Sequence, residues 1–165
     1  MSECSVREAD LAEMPAIVAL VRSAFAESAT WGSPSSALGE TEGFWRSGIV
    51  ERRFGVLVCE ASTEIAGVVR HCAEPDGWWG FARLAVAPSY RRRGVATCLL
   101  AGLEKRAAMS GAAGIRCTAR AEEGAGAQLY AAIGFSPAGT FDVVRDAVRI
   151  PVVRWEKAFG GGAPA

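Results

Sequence analysis

Apolar residues recur with the spacing of an amphipathic helix near the amino terminus of the chain. Asp10 precedes the series and is suited to cap a helix. The spacing predicts a helix that ends near Ser28, before a loop rich in serine, glycine and proline. A second, shorter helix is predicted around Ile49. The apolar positions of the first helix are Met14, Ile17, Val18, Val21 and Phe25.

Beyond residue 54 the pattern changes to short apolar runs separated by turn residues, which is typical of strands. Helical patterns interrupt these runs twice, so we expect an α/β (α+β) protein with a mixed sheet. Residues 1–159 are predicted to form one domain and 160–165 a disordered tail. The predicted strands are 55–61, 64–74, 78–88, 115–120, 135–141 and 149–159, and the predicted helices are 94–110 and 126–134.

Composition restricts the class of protein. Half of the 165 residues are apolar and 22% are charged, as in soluble globular proteins. There is no apolar run of 18 residues, so no membrane span is expected, and the polar first ten residues do not resemble a secretion signal. Five scattered cysteines and one histidine predict neither a disulfide framework nor a zinc site, and no metal cofactor. We therefore expect a reducing, cytoplasmic location.

The zero net charge conceals an asymmetry. Residues 1–80 contain 12 acidic and 6 basic side chains, whereas residues 81–165 contain 6 acidic and 12 basic ones. The amino-terminal part is suited to a cationic partner and the remainder to an anionic one.

Three consecutive arginines stand between the predicted strand at 78–88 and the helix that follows it, in the sequence SYRRRGVAT. The first N–H groups of a helix have no partner within the helix and lie at its positive end. A preceding glycine lets a ligand approach the backbone, and arginines add charge-assisted hydrogen bonds to phosphate oxygens. The pattern indicates a phosphate site, although neither a P-loop nor a dinucleotide fingerprint is present.

Two segments make the pattern specific to a family. Arg91 to Ala96 is similar to the Arg/Gln-x-x-Gly-x-Gly/Ala signature of the GNAT superfamily of acyl-CoA-dependent N-acetyltransferases. About 35 residues later, QLYAAIGF (128–135) resembles the family's Leu-Tyr-x-x-x-Gly-Phe segment. The order of predicted elements agrees with the family from about residue 4 to 157.

The resemblance implies a mostly antiparallel sheet of six to seven strands with about four helices. Its fourth and fifth strands would start parallel and splay apart to admit the pantetheine of acetyl-CoA or CoA. Backbone groups of Leu84, Ala85 and Val86 would pair with pantetheine, and the N–H near Val86 would polarise the thioester carbonyl. The pyrophosphate would lie against the following residues, which are Arg91, Arg92, Arg93, Gly94, Val95, Ala96 and Thr97.

Tyr130 matches the tyrosine that protonates the departing thiolate in the family. Many relatives have a glutamate general base in the first half of the fourth strand, but residues 78–82 contain no carboxylate. His71 and Glu74 are the candidate replacements, with Asp76 and Glu60 as alternatives. Glu123 stands where relatives commonly have an asparagine, so it lacks that residue's amide, although it is suited to cap the helix start.

The acceptor side of this fold is lined by the first two helices and their connecting loop, which contain Trp31, Phe44 and Trp45. Aromatic and acidic residues there favour a cationic, partly apolar amine, although Phe44 and Trp45 are equally compatible with a core role. We expect direct acetyl transfer to a primary amine of a small molecule or a peptide N-terminus. A non-catalytic CoA-binding or protein-interaction module is the alternative. Neither a nucleic acid nor a membrane is expected as a partner, and a homodimer is left open.

Overall fold

The computed structural model describes residues 4–27, 34–121 and 124–160. Within them the chain forms seven strands and four α-helices; the elements other than β1 lie close to the predicted ranges, and β6 extends four residues further. The helices are α1 (Met14–Glu27), α2 (Glu42–Val50), α3 (Val95–Met109) and α4 (Gly124–Ala132). The strands are β1 (Ser5–Glu8), β2 (Gly55–Ala61), β3 (Glu64–Ala73), β4 (Trp79–Val86), β5 (Gly114–Arg120), β6 (Ser136–Arg145) and β7 (Val148–Ala158).

The amino terminus of the first helical segment is capped as the sequence predicts. Asp10 accepts a hydrogen bond from the Ala12 N–H at 3.2 Å, and the Glu13 carboxylate accepts one from the Asp10 N–H at 2.8 Å. This reciprocal arrangement is a capping box, and it satisfies N–H groups that a helix start leaves without partners. A single 3₁₀ turn, Leu11–Glu13, then leads into α1.

The strand order is β1-β2-β3-β4-β5-β7-β6. The pairs β1–β2, β2–β3, β5–β7 and β6–β7 are antiparallel, and β4–β5 is parallel. The parallel pairing consists of Trp79 with Ile115 and Gly80 with Arg116, although β4 runs on to Val86. These observations confirm the predicted mixed, mostly antiparallel sheet with its flanking helices.

Two hairpins have two-residue turns that contain no glycine. Ser62 and Thr63 connect β2 to β3 with φ angles of 50° and 68°, and Asp146 and Ala147 connect β6 to β7 with 49° and 62°. Positive φ at both central residues is the conformation of a type I′ turn, whose twist matches that of paired strands. Both turns therefore suit the strands but place ordinary residues in the left-handed region.

The chain divides into two compact units, Met1–Cys72 with Phe81–Leu103, and Ala73–Gly80 with Glu104–Ala165. In the first unit, Met14, Ile17, Val21 and Trp45 are almost fully buried. In the second, Ile115, Tyr130, Phe135 and others are buried. The prediction of one domain over residues 1–159 stays a prediction.

Three features of the chain differ from the sequence-based expectations or lie outside them. The pattern did not predict β1, because four residues of mixed polarity carry little strand signal. A disulfide joins Cys4 to Cys59, which is a correction to the expectation from scattered cysteines: 55 residues separate the pair, and pairing of β1 with β2 brings the two residues together. Trp31, Glu123 and residues 161–165 lie outside the described residues.

No described helix has the length and apolar character needed to cross a membrane.

Candidate active site

Residues 87–94, here called the arginine-rich loop, connect the end of β4 to the start of α3 within the first unit. After β4, a short helical turn spans Pro88–Tyr90, and α3 begins at Val95. Gly94 has φ of 78°, a conformation that L side chains rarely adopt, and a Cβ placed there would meet no atom within 4 Å. The glycine therefore leaves open space beside the first N–H groups of α3, which have no partner within the helix.

The arginine side chains of this loop are exposed. The Arg91 Nη1 lies 2.8 Å from a Glu27 carboxylate oxygen, and its Nε donates to the Val86 carbonyl at 3.4 Å. The Arg93 guanidinium lies 5.9 Å from the centre of the Tyr90 ring. Because exposed ion pairs contribute about 0–1 kcal/mol, a phosphate could replace these partners at little cost.

The last residues of β4 lead directly into this loop. Ala85 is buried, whereas Leu84 and Val86 are half-buried. Arg83 precedes them with φ of 58°, so the regular strand conformation is interrupted just before the residues predicted to pair with pantetheine. Sequence patterns did not predict this interruption, because arginine rarely adopts a positive φ.

Tyr130 lies on α4 in the second unit, where only 9% of the residue is exposed. Its ring centre is 5.6 Å from that of Phe135 and 6.0 Å from that of Trp155. Its hydroxyl forms a hydrogen bond with the Cys117 thiol. Burial raises the pKa of Cys117 to about 12, with the Tyr130 hydrogen bond acting in the opposite direction. The tyrosine is thus fixed in an apolar environment next to a neutral thiol.

The candidate bases occupy different environments. Within the second unit, Glu74 and Asp76 both bind Arg116, whose Nε donates to Glu74 at 2.6 Å and whose Nη2 donates to Asp76 at 2.7 Å. The hydrogen bond from Arg116 lowers the pKa of Asp76. This shift makes the Asp76 carboxylate a weaker base.

Within the first unit, Glu60 accepts a hydrogen bond from the Arg7 Nε at 2.8 Å. His71 is half-buried on β3, and its ring covers Gly55 on the paired strand β2. A Cβ on Gly55 would approach the His71 Cε1 to 2.5 Å, so a larger residue there would displace the imidazole ring.

The aromatic residues predicted for the acceptor side have contrasting positions. Trp45 is fully buried, whereas Phe44 is 37% exposed. Arg70 lies over both rings, 5.2 Å from the centre of Trp45 and 5.6 Å from that of Phe44. Arg53 lies 5.4 Å from the centre of Phe44. The chain's own arginines therefore already occupy aromatic faces of this region.

A partly buried polar cluster of Glu40, Arg70, Arg83 and Trp45, here called the Glu40 cluster, was not predicted from the sequence. One Glu40 oxygen accepts from the Arg83 Nε at 3.1 Å and its Nη2 at 2.7 Å. The other accepts from the Arg70 Nη1 at 3.1 Å and the Trp45 Nε1 at 3.0 Å. Two arginines share one carboxylate, so the cluster carries a surplus positive charge.

Burial of the Glu40 carboxylate opposes its ionisation, but the hydrogen bonds and charge of Arg83, together with Arg70, outweigh burial and lower the pKa of Glu40. Burial lowers the pKa of Arg70, and the neighbouring Arg83 charge acts in the same direction. The arginine side chains are 16% exposed and that of Glu40 is 12% exposed. The cluster is therefore an ionised network that is mostly shielded from solvent.

Solved structures resemble the whole fold. A ribosomal-protein-alanine N-acetyltransferase from Brucella melitensis has a TM-score of 0.75 and 21% identity, over 94% of this chain and 99% of that chain. A ribosomal-protein-S18-alanine N-acetyltransferase from Escherichia coli has a TM-score of 0.74 and 18% identity, over 98% and 97%. A protein from Salmonella typhimurium, solved with its cofactor acetyl-CoA, has a TM-score of 0.73 and 17% identity, over 99% of each chain. At these identities the likeness shows the fold.

No curated protein matches the chain in sequence. A family model for the acetyltransferase (GNAT) domain matches residues 52–137, which is just over half of the chain. The matched range includes β2 to β5, the arginine-rich loop, α3 and Tyr130. The fold and the matched segment therefore agree, and the chain belongs to the GNAT family of acetyltransferases.

Proposed function

We propose that the chain is an acetyl-CoA-dependent N-acetyltransferase that acetylates a primary amine of a small molecule or a peptide N-terminus by direct attack in a ternary complex. The observation that carries this proposal is the junction of β4 and α3. There, Gly94 in a left-handed conformation leaves space at a helix start, beside three exposed arginines. A pyrophosphate has the charge and the acceptor oxygens that such a junction binds.

The backbone of Leu84 to Val86 would hold pantetheine, and the N–H near Val86 would polarise the thioester carbonyl. Residues Arg91 to Thr97 would bind the pyrophosphate. Attack by the neutral amine forms the C–N bond, and collapse breaks the C–S bond. Tyr130 is proposed to donate its proton to the departing thiolate, and a phenol with a pKa near 10 is only moderately mismatched to a thiol with a pKa near 8.5.

The acceptor amine must lose a proton before it attacks. An amine with a pKa of about 10.4 costs about 4.6 kcal/mol to deprotonate at pH 7, whereas an α-amine with a pKa near 7.8 costs about 1 kcal/mol. Glu60, Glu74 and Asp76 are paired with arginines. The base is proposed to be one of these carboxylates or His71, unless the acceptor has a weakly basic amine that needs none.

The predicted acceptor was cationic and partly apolar. The surplus positive charge of the Glu40 cluster instead favours an acceptor that carries a negative group as well as its amine. Pairs of amines that differ only by a carboxylate would distinguish the two interpretations, because the preferred member should have the lower KM.

A non-catalytic CoA-binding or protein-interaction module remains the second candidate, because the carboxylates near the predicted base position are held in ion pairs. The cytoplasmic location and the homodimer stay predictions.

The first experiment is a thermal melt with acetyl-CoA, CoA or ATP. A ligand at 100 times its dissociation constant stabilises the folded state by about 2.7 kcal/mol, which raises the melting temperature by roughly 5–10 °C. A shift with both CoA compounds and little shift with ATP supports the CoA site. No shift with either CoA compound would refute the proposal.

The second experiment measures acetyl transfer to a panel of amines with Tyr130→Phe. We expect kcat to fall at least tenfold while the thermal shift with acetyl-CoA is unchanged. Tyr90→Phe is a matched control, since Tyr90 is the other tyrosine of the chain and its hydroxyl binds Glu64. A wild-type chain that binds CoA but acetylates no amine would favour the non-catalytic module.

A further inference from the structure

Three cysteines from three separate elements meet within the first unit. Cys4 precedes β1, Cys59 lies on β2, and Cys98 lies on α3. Their three sulfur atoms all lie within 4.8 Å of one another. Cys4 and Cys59 form the disulfide, and the Cys98 thiol lies 3.5 Å from the Cys4 carbonyl oxygen as a hydrogen-bond donor. These residues are here called the cysteine triad.

The triad forms because α3 packs directly against the sheet at two glycines. A Cβ on Gly102 would lie 2.7 Å from the Val6 Cγ1, and a Cβ on Gly67 would lie 2.7 Å from the Val95 Cγ1. Val6 and Gly67 are the two residues paired with Cys59 in the flanking strands. Two glycines thus allow α3 to contact the sheet on either side of Cys59.

The helical period then places Cys98 in this contact. Val95, Cys98, Leu99 and Gly102 lie three or four residues apart, so they share the face of α3 that meets the sheet. Leu99 is fully buried and Cys98 is half-buried, at the margin of the same contact. Its thiol therefore points towards the other two sulfurs as a consequence of the packing.

The spacing of the sulfurs fits a metal ion with thiolate ligands. At a metal–sulfur distance of about 2.3 Å, two thiolates on one ion are about 3.8–4.0 Å apart. The three sulfurs already lie within 4.8 Å, so small side-chain rotations would suffice once the disulfide is open. Cys59 is fully buried, whereas Cys4 and Cys98 are half-buried, so a metal ion could reach the triad from the side of Cys4 and Cys98.

We propose that the reduced cysteine triad is a binding site for one thiophilic metal ion such as Zn²⁺ or Cu⁺, and that the Cys4–Cys59 disulfide is its closed, oxidised form. A dithiol reductant supplies the two electrons and two protons that convert the disulfide into two thiols and is itself oxidised to a disulfide. The metal ion then displaces the thiol protons. Three soft thiolates are the ligands that such ions prefer, and a fourth tetrahedral position is left for water.

The two forms exclude each other, because a disulfide sulfur has no thiolate to offer. A reducing compartment would keep the triad open to metal, and oxidation would close it. This proposal is independent of acetyl transfer and concerns residues outside the predicted acetyl-CoA contacts.

The test is a titration of the reduced, full-length chain with Cd²⁺ alone, a thiophilic ion whose thiolate complexes absorb in the ultraviolet. The reductant is removed beforehand, and native mass spectrometry measures the stoichiometry. We expect one Cd²⁺ per chain in the reduced protein and none in the oxidised protein. Absence of saturable binding by the reduced chain, or equal binding by both forms, would overturn the proposal.

Cys98→Ser and Cys72→Ser are the matched variants, because both cysteines lie outside the disulfide and are half-buried, but only Cys98 belongs to the triad. Loss of a direct ligand should weaken Cd²⁺ binding by more than the roughly 10–100-fold that an outer-shell partner typically contributes. Cys72→Ser should bind as the wild type does. Equal affinity of the two variants would refute the site.

Cys4→Ser provides a second variant if Cys98→Ser disturbs the packing of α3. It removes a half-buried ligand outside the helix and also prevents the disulfide. We expect weak Cd²⁺ binding that no longer depends on reduction, with an unchanged circular dichroism spectrum. Tight binding by this variant would overturn the assignment of Cys4.

Discussion

Replacing Glu40 by glutamine tests whether the Glu40 cluster is an ionised network. Each carboxylate oxygen accepts two hydrogen bonds, one oxygen from Arg83 twice and the other from Arg70 and Trp45. A glutamine side chain has the same shape but one acceptor oxygen, so two donors would face an amide N–H group in either orientation.

The size of the effect follows from the burial of the partners. Hydrogen bonds to charged groups contribute about 1.5–3 kcal/mol each, and two are lost. Since the side chains are still 12–16% exposed, water replaces part of this loss. We expect Glu40→Gln to lower the free energy of unfolding by about 2–4 kcal/mol at pH 7, as measured by urea denaturation.

The pH dependence gives an independent check. The pKa of Glu40 is lowered in the folded state, so its contribution is complete above the ordinary glutamate pKa of about 4.3 and is lost as the pH falls through the folded pKa. The difference between the wild type and Glu40→Gln should therefore shrink below about pH 4.

Glu51→Gln is the matched control. Its ion pair with Arg53 is 45–60% exposed, so about 0–1 kcal/mol is expected. If Glu40→Gln costs no more than this control, or if its cost is unchanged by acid, the interpretation of the cluster is wrong.

Three further predictions concern single positions. Gly94→Ala should destabilise the fold by about 1–2 kcal/mol, because φ is 78°, and should reduce the melting shift caused by acetyl-CoA. Gly114→Ala should cost about 2–3 kcal/mol in urea denaturation, since its Cβ would lie 2.5 Å from a Trp78 ring atom and 2.9 Å from the Ala158 Cα. Cys117 should resist iodoacetamide at pH 8 while Cys72 reacts, because burial raises the pKa of Cys117 to about 12 and leaves little thiolate; mass spectrometry of the labelled peptides would show this.

The elements that sequence patterns predicted well are those defined by local periodicity. Helix α1 and its capping residue Asp10 follow from neighbouring residues, and β2 and β3 follow from apolar runs with a short turn between them. The arginine-rich loop was found in the same way, because its residues are consecutive in the chain.

Contacts between distant residues could not be predicted from such patterns. Glu40 meets Arg70 and Arg83, which are 30 and 43 residues away, and nothing local marks the three as partners. The cysteine triad has the same character, since its spacing along the chain resembles no metal motif. The count of charges also gave no sign of ion pairs. Several acidic residues that made the amino-terminal part look suited to a cationic partner are bound to arginines of the same chain.

The two hairpin turns without glycine offer a means of engineering thermostability. Ser62, Thr63, Asp146 and Ala147 all hold a left-handed conformation, which costs an ordinary residue roughly 1–2 kcal/mol. Asn-Gly is the sequence that adopts this turn most readily. Both turns lie apart in sequence from the arginine-rich loop and from Tyr130, so exchanging them for Asn-Gly would raise the heat tolerance of the protein for crystallisation or industrial use without altering the residues proposed to act on acetyl-CoA.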